Sequence, residues 1–163
     1  GNIGATNVMR AAGKTTGILT LAGDILKGFL PVVIAIALDE PRLVVTAVGL
    51  ATFLGHLFPI FLKFRGGKGV ATALGVYLRL APFAVLIAAI FFVLALLKWR
   101  YVSLGSLVGV GAIPLALYLF NAQDYDIYLA LIIGTLVFIK HRDNIRRLVS
   151  GTENKLGKPK SSS

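Results

Sequence analysis

Six apolar runs follow one another along this 163-residue chain, joined by short connectors. They cover about residues 15–38, 41–62, 69–80, 82–98, 101–120 and 126–140. A helix needs about 20 mostly apolar residues to cross a bilayer. The repetition predicts an all-α integral membrane protein, a polytopic helical bundle of six spans, with 69–80 a short one. Composition agrees: 56% of the residues are hydrophobic and mean hydropathy is +0.82, while only 15% are charged. A soluble globular chain averages about 25% charged, and disorder requires far less apolar content. There is no cysteine, which excludes a disulfide scaffold, a thiolate metal site and a thiol nucleophile.

The charges sort by connector. If all six runs cross, one side collects Arg10, Lys14, Lys63, Arg65, Lys68, Lys98, Arg100 and the seven basic residues from Lys140 to Lys160. The other side holds Arg42 and Arg79, with Asp39, Glu40, Asp124 and Asp126. Fourteen basic residues against two is a strong positive-inside asymmetry, predicting both ends in the cytoplasm. It also argues for 69–80 as a crossing, since omitting that run scrambles the pattern. One domain is expected over 1–151, followed by a basic, disordered cytoplasmic tail over 152–163.

The same side carries the polar chemistry. GNIGATNVMR opens the chain, KFRGGKG follows the second run, KWRYVSLGS the fourth and KHRDN the last. Glycines let backbone N–H groups approach an oxyanion closely. Lysine and arginine bring charge, and arginine can hold a phosphate through two parallel hydrogen bonds. Gly66-Gly67-Lys68 opening a helix adds that helix's N-terminus. The P-loop spacing is absent, so neither a nucleotide nor a nucleic acid is indicated. Basic residues beside a membrane are commonly topology signals, and Lys98, Arg100, Arg146 and Arg147 are read so. Arg10 and Lys68, set among Gly, Asn and Thr, are read as ligand contacts. Asn2, Thr6 and Asn7 suit helix caps and ligand contacts equally.

Asp24 and Lys27 stand three residues apart in an apolar run, and their plainest role is mutual neutralisation that fixes packing. His56 has apolar neighbours, so a packing histidine is at least as good a reading as a base. His141 lies in the basic cluster and suits a substrate region better. Two distant histidines and no carboxylate cluster make a metal site unexpected.

In their order, GNIGATN, GHLFPIFLKFRGGKGVATALG, KWRYVSLGS and HRDNIRRLVSG resemble the bacterial acyl-phosphate:glycerol-3-phosphate acyltransferase family, PlsY, from Gly1 to about Gly151. The resemblance implies a multi-pass enzyme of the bacterial inner membrane with its active site facing the cytoplasm. It implies acyl transfer from acyl phosphate to the 1-hydroxyl of sn-glycerol 3-phosphate, early in phospholipid synthesis, with no cofactor or metal. It further implies that Arg10, Lys68, Ser106 and Asn144 hold the glycerol phosphate. Thr6, Asn7 and the Gly1–Gly4 stretch, with Asn2, would cradle the acyl phosphate beside Gly66 and Gly67. Lys68 is the expected transition-state stabiliser. His56 and His141 are the candidate bases, against substrate assistance by a phosphate group; Asp143 is more plausibly paired.

The family's first motif carries a serine before the glycine at which this chain begins. The chain is therefore expected to be a fragment lacking one upstream helix and that serine, with impaired activity alone. The rival reading is a transporter of a small phosphorylated solute. Its binding groups would lie near the midplane, where only Asp24, Lys27 and His56 qualify.

Overall fold

The computed structural model describes residues 4–157, and these contain helices and turns only. The helices are α1 (Ala5–Ala12), α2 (Lys14–Ala37), α3 (Arg42–Leu57), α4 (Val70–Leu80), α5 (Pro82–Trp99), α6 (Val102–Leu119), α7 (Asp124–Lys140) and α8 (Arg142–Val149), with a 3-10 turn at Ile60–Leu62. Five of the six apolar runs become single helices within about two residues of the expected ends. The second run breaks early, because Pro59 disfavours helical backbone at the residue before it. Phe58 accordingly leaves the helix at φ −131, ψ 55.

By length and composition, 14–37, 42–62, 82–99 and 102–119 can cross a membrane. Helix α4 has 11 residues, about 16 Å at 1.5 Å per residue, roughly half a hydrocarbon core. It nonetheless joins the two ends of the bundle. At its start, Gly69 lies against Phe53 and Leu57 near the end of α3. At its finish, the Leu80 carbonyl accepts a hydrogen bond from Arg42 Nη2 at the start of α3, at 3.5 Å. Helices α3 and α7 run parallel: Arg42 is bonded to Asp126 at one end, and Lys140 Nζ donates to the Leu57 carbonyl at 3.1 Å at the other. Parallel α3 and α7 require the three helices between them to run back, out and back again.

The core lies among α2, α3, α4 and α7, where Val32, Val45, Phe53, Val76, Tyr77, Ile133 and Val137 are buried. Large apolar side chains also face outward along every long helix, among them Leu19, Ile34, Phe83, Leu97, Leu115 and Ile139. Water would penalise that surface and a bilayer does not. The chain is a multi-pass membrane protein.

Backbones approach most closely where α2 crosses α4. A Cβ on Gly28 would lie 2.2 Å from the Thr72 carbonyl oxygen, and one on Gly75 would lie 2.0 Å from that of Ile25. Glycine is the only residue both positions accept without movement. The α5–α6 pair meets similarly, with Gly105 and Gly109 against Phe92 and Ala88.

Two regions carry structure that the sequence reading did not assign. Within the polar cluster GNIGATNVMR, residues 5–12 form α1, which folds back along α2 across Gly13 at φ 91. Met9 then faces Gly17, the position equally far beyond that turn. The expected disordered tail also gives way over 152–157. Thr152 and Glu153 donate to the Arg147 carbonyl, and Leu156 to that of Arg100, at 2.8, 3.1 and 2.7 Å. Residues 158–163 of the basic tail lie outside the described residues.

Candidate active site at the basic end of the bundle

The Gly-Gly-Lys segment is held down from below. Gly66 N–H donates to the Leu57 carbonyl at 3.3 Å. A Cβ on Gly66 would lie 2.0 Å from the His56 carbonyl oxygen, and one on Gly67 would lie 2.2 Å from His56 Nε2. The two glycines are therefore required by close approach to the end of α3. Gly69 at φ 81 then turns the chain into α4.

Lys68 leaves this floor and reaches α8, where its Nζ donates to Asn144 Oδ1. Asn144 Nδ2 donates in turn to Glu153 Oε1 at 2.8 Å. Glu153 is the hub: Ser103 Oγ donates to Oε1 at 3.0 Å and Arg147 Nε to Oε2 at 2.7 Å. Loop 63–69, the start of α6, helix α8 and the segment after it thus converge on one polar network. Burial acts to raise the Glu153 pKa, but the hydrogen bonds from Arg147, Asn144 and Ser103 outweigh it and hold the carboxyl below its ordinary range.

His141 caps the junction of α7 and α8 and is buried. Its Nδ1 lies 2.8 Å from the Val137 carbonyl. That contact requires the Nδ1–H tautomer and leaves the lone pair on Nε2. Burial, aided by the positive charge of Lys68, lowers its pKa to about 4. The imidazole is neutral at physiological pH.

Ser106 is buried on the first turns of α6, its Oγ donating to the Val102 carbonyl at 2.9 Å. His56 is buried beneath Gly67 and carries Asp24 on its other side, Nδ1 to Oδ1 at 3.4 Å. Asp24 also pairs with Lys27 at 2.8 Å, as expected. Thr6 and Asn7 are exposed in the first turn of α1. Gly4 is its N-cap, so Thr6 and Asn7 lie inside the helix and not at the cap position. Arg10 lies on α1, while Gly1 and Asn2 lie outside the described residues. Asp143 comes within 3.9 Å of Arg142, both exposed.

Sequence reasoning missed Glu153 and read Arg147 only as a topology charge, without its pairing to Glu153. The available signal was an isolated carboxylate in a strongly basic segment, which electrostatics would pair with some neighbour. Which neighbour depended on how the chain after α8 returns to α6.

A bundle with lipid-facing helices and a lysine–amide network on a glycine floor defines a membrane-embedded protein equipped to hold an anion at one end. Residues 1–151 match the family model described as glycerol-3-phosphate acyltransferase, and the chain belongs to that family. The glycerol-3-phosphate acyltransferase of Geotalea daltonii is 55% identical over 154 residues, covering 94% of this chain and 79% of that protein. The one from Syntrophotalea carbinolica is 52% identical over 156 residues, covering 95% and 80%. Among solved structures, PlsY, an integral membrane glycerol 3-phosphate acyltransferase, superposes in its glycerol 3-phosphate form with a TM-score of 0.92 at 42% identity, covering 96% of this chain and 79% of that one. Its lysophosphatidic acid form gives 0.91 at 42% identity, covering 96% and 81%.

Proposed function

We propose that this protein transfers a fatty acyl group from acyl phosphate to the 1-hydroxyl of sn-glycerol 3-phosphate, at the cytoplasmic face of a bacterial inner membrane. The observation that carries this reading is the Lys68–Asn144 contact, which brings the glycine loop and the last helix together at the basic end. The relatives' names supply the acceptor; the residue motifs and their family resemblance supply the donor. Residues 1–151 form the catalytic domain, and the segment after them closes its site through Glu153.

Acyl phosphate is a mixed anhydride and needs no covalent enzyme intermediate. The 1-hydroxyl oxygen attacks the acyl carbonyl carbon, a new C–O ester bond forms, and the C–O bond to phosphate breaks. Phosphate leaves with the electron pair of that bond. The enzyme's share is positioning and charge stabilisation. Lys68, Asn144, Ser106 and Arg10 hold the glycerol phosphate. Gly66 and Gly67, with Gly1, Asn2, Gly4, Thr6 and Asn7, cradle the donor's phosphate. Lys68 serves both phosphates in this reading and offsets charge as it develops. The hydroxyl proton passes to a phosphate oxygen, with neutral His141 able to accept a hydrogen bond at Nε2. An imidazole with a pKa of about 4 is a poor base at neutral pH, which favours the phosphate. His56, buried under Gly67, is assigned no direct proton transfer.

The test is a transfer assay in membranes with labelled glycerol 3-phosphate and acyl phosphate, acyl-CoA or acyl carrier protein as separate donors. The chain would be assayed alone and fused behind a relative's N-terminal helix. Lysophosphatidate from acyl phosphate alone, reduced at least 100-fold in Lys68→Ala at unchanged melting temperature, is expected. Turnover retained in Lys68→Ala would remove that lysine from the site. No product from a folded fusion would defeat the reading and turn attention to solute uptake.

A further inference from the structure

The mechanism leaves the buried pair of Asp24 and His56 unused. Asp24 on α2 and His56 on α3 have side chains only 7% and 3% exposed. A paired carboxylate and imidazole at that depth are costly to bury and call for a reason. The local geometry supplies one. Asp24 Oδ1 is shared between Lys27 Nζ at 2.8 Å and His56 Nδ1 at 3.4 Å. At that distance Nδ1 makes no full hydrogen bond, but the negative charge facing it favours the Nδ1–H tautomer and the ring orientation that points this N–H at the carboxylate. The opposite edge of that ring touches Gly67 so closely that a Cβ there would lie 2.2 Å from Nε2 and 2.8 Å from Cε1. The next residue is Lys68, whose Nζ reaches Asn144.

We infer that Asp24 and His56 are positioning residues for Lys68: the α2 carboxylate orients the imidazole, and the imidazole sets the height of the glycine loop that presents the ammonium to phosphate. Two supports then define where Lys68 stands. Asp24 and His56 hold its backbone from the α2–α3 side. Asn144, anchored by Glu153, meets its side chain from the α8 side. This accounts for Gly67 as a packing requirement distinct from the anion-binding use of glycine. It also separates Asp24 from the expected role of merely neutralising Lys27, whose side chain is half exposed.

The inference rests on the acyltransferase reading, and the experiment separates the two. Glycerol 3-phosphate binding would be measured by calorimetry on purified, detergent-solubilised protein, with transfer assayed in parallel. The proteins are the unaltered chain, Asp24→Asn, Lys68→Ala and the double variant, each checked by thermal unfolding. Asp24→Asn is expected to weaken binding about tenfold in the unaltered background and less than twofold in Lys68→Ala, because it acts through that lysine. Equal weakening in both backgrounds, or none in either, overturns it. Where Asp24→Asn fails to fold, Gly67→Ala replaces it, since the added methyl displaces the loop from the ring and spares the Asp24–Lys27 pair. Gly67→Ala should show the same coupling to Lys68, and independent effects overturn the inference equally. An unaltered protein that neither binds glycerol 3-phosphate nor transfers acyl groups defeats the acyltransferase reading. One that does both, with Asp24 uncoupled from Lys68, defeats only the positioning role.

Discussion

At the scale of single residues, the site is a chain of supports in which few groups face substrate directly. His141 shows how position alone changes chemistry. Its ordinary pKa would make it the natural base near neutrality, yet burial and the Lys68 charge hold it near 4. Its NMR titration should show no midpoint between pH 5 and 8, whereas a midpoint near 6.5 would mean a solvated ring. Glu153 works in the opposite sense. Its folded-state pKa is depressed, so its contribution to stability is complete above the ordinary glutamate pKa and is lost as pH falls through the folded value. Glu153→Gln should therefore melt below the unaltered protein at pH 7, with the gap narrowing toward pH 3. A gap that is constant with pH would show that the carboxylate charge is not what matters.

At the scale of helices, the decisive contacts are between backbones. Gly75→Ala would press a methyl to 2.0 Å from the Ile25 carbonyl oxygen, and no side-chain rotation can relieve that. Forcing α2 and α4 apart should cost about 1–3 kcal/mol, read as a lower melting temperature in detergent. Gly23→Ala is the internal control. Nothing lies within 4 Å of a Cβ there, and alanine is the better helix former by about 1 kcal/mol. Gly23→Ala should match or exceed the unaltered protein, and equal losses at both positions would refute the close crossing. Helix α1 belongs to this scale too. Its eight residues have too little length for an isolated helix; packing against α2 makes it one, and a polar-looking sequence did not announce that packing.

At the scale of the whole molecule, the bundle has two unlike ends. The basic end gathers loop 58–69, the α5–α6 turn and residues 141–157. The other joins Arg42, Leu80 and Asp126. With no native cysteine, orientation can be read directly from single substitutions. Lys63→Cys should react with an impermeant thiol reagent only from the cytoplasmic side, and Gln123→Cys only from the other. The reverse pattern would invert the proposed topology. The parallel course of α3 and α7 requires an odd number of crossings between them, which agrees with the alternation of charge that the connectors display.

Much of this was open to reading along the chain. Apolar run length and proline placement are local properties, so helices α2 and α4 to α7 stand within about two residues of where hydropathy put them, and α3 starts there but stops short before Pro59. Charge asymmetry is a sum over connectors and needs no coordinates either. Lys68 and His141 announced themselves by residue type beside glycine-rich or basic connectors, whereas Ser106 and Asn144 were implied by the family resemblance alone. What the chain could not disclose are meetings between residues far apart in sequence. Glu153 became a hub because the segment after α8 returns to the start of α6, and His56 lies beneath Gly67 because α3 ends where the loop doubles back over it. Hydrophobicity is additive and local, so the sequence by itself determined a helical membrane bundle with one basic, anion-seeking end. Hydrogen bonding and close packing depend on direction and on ångström distances between separate elements, so only the tertiary structure decided which of those residues touch.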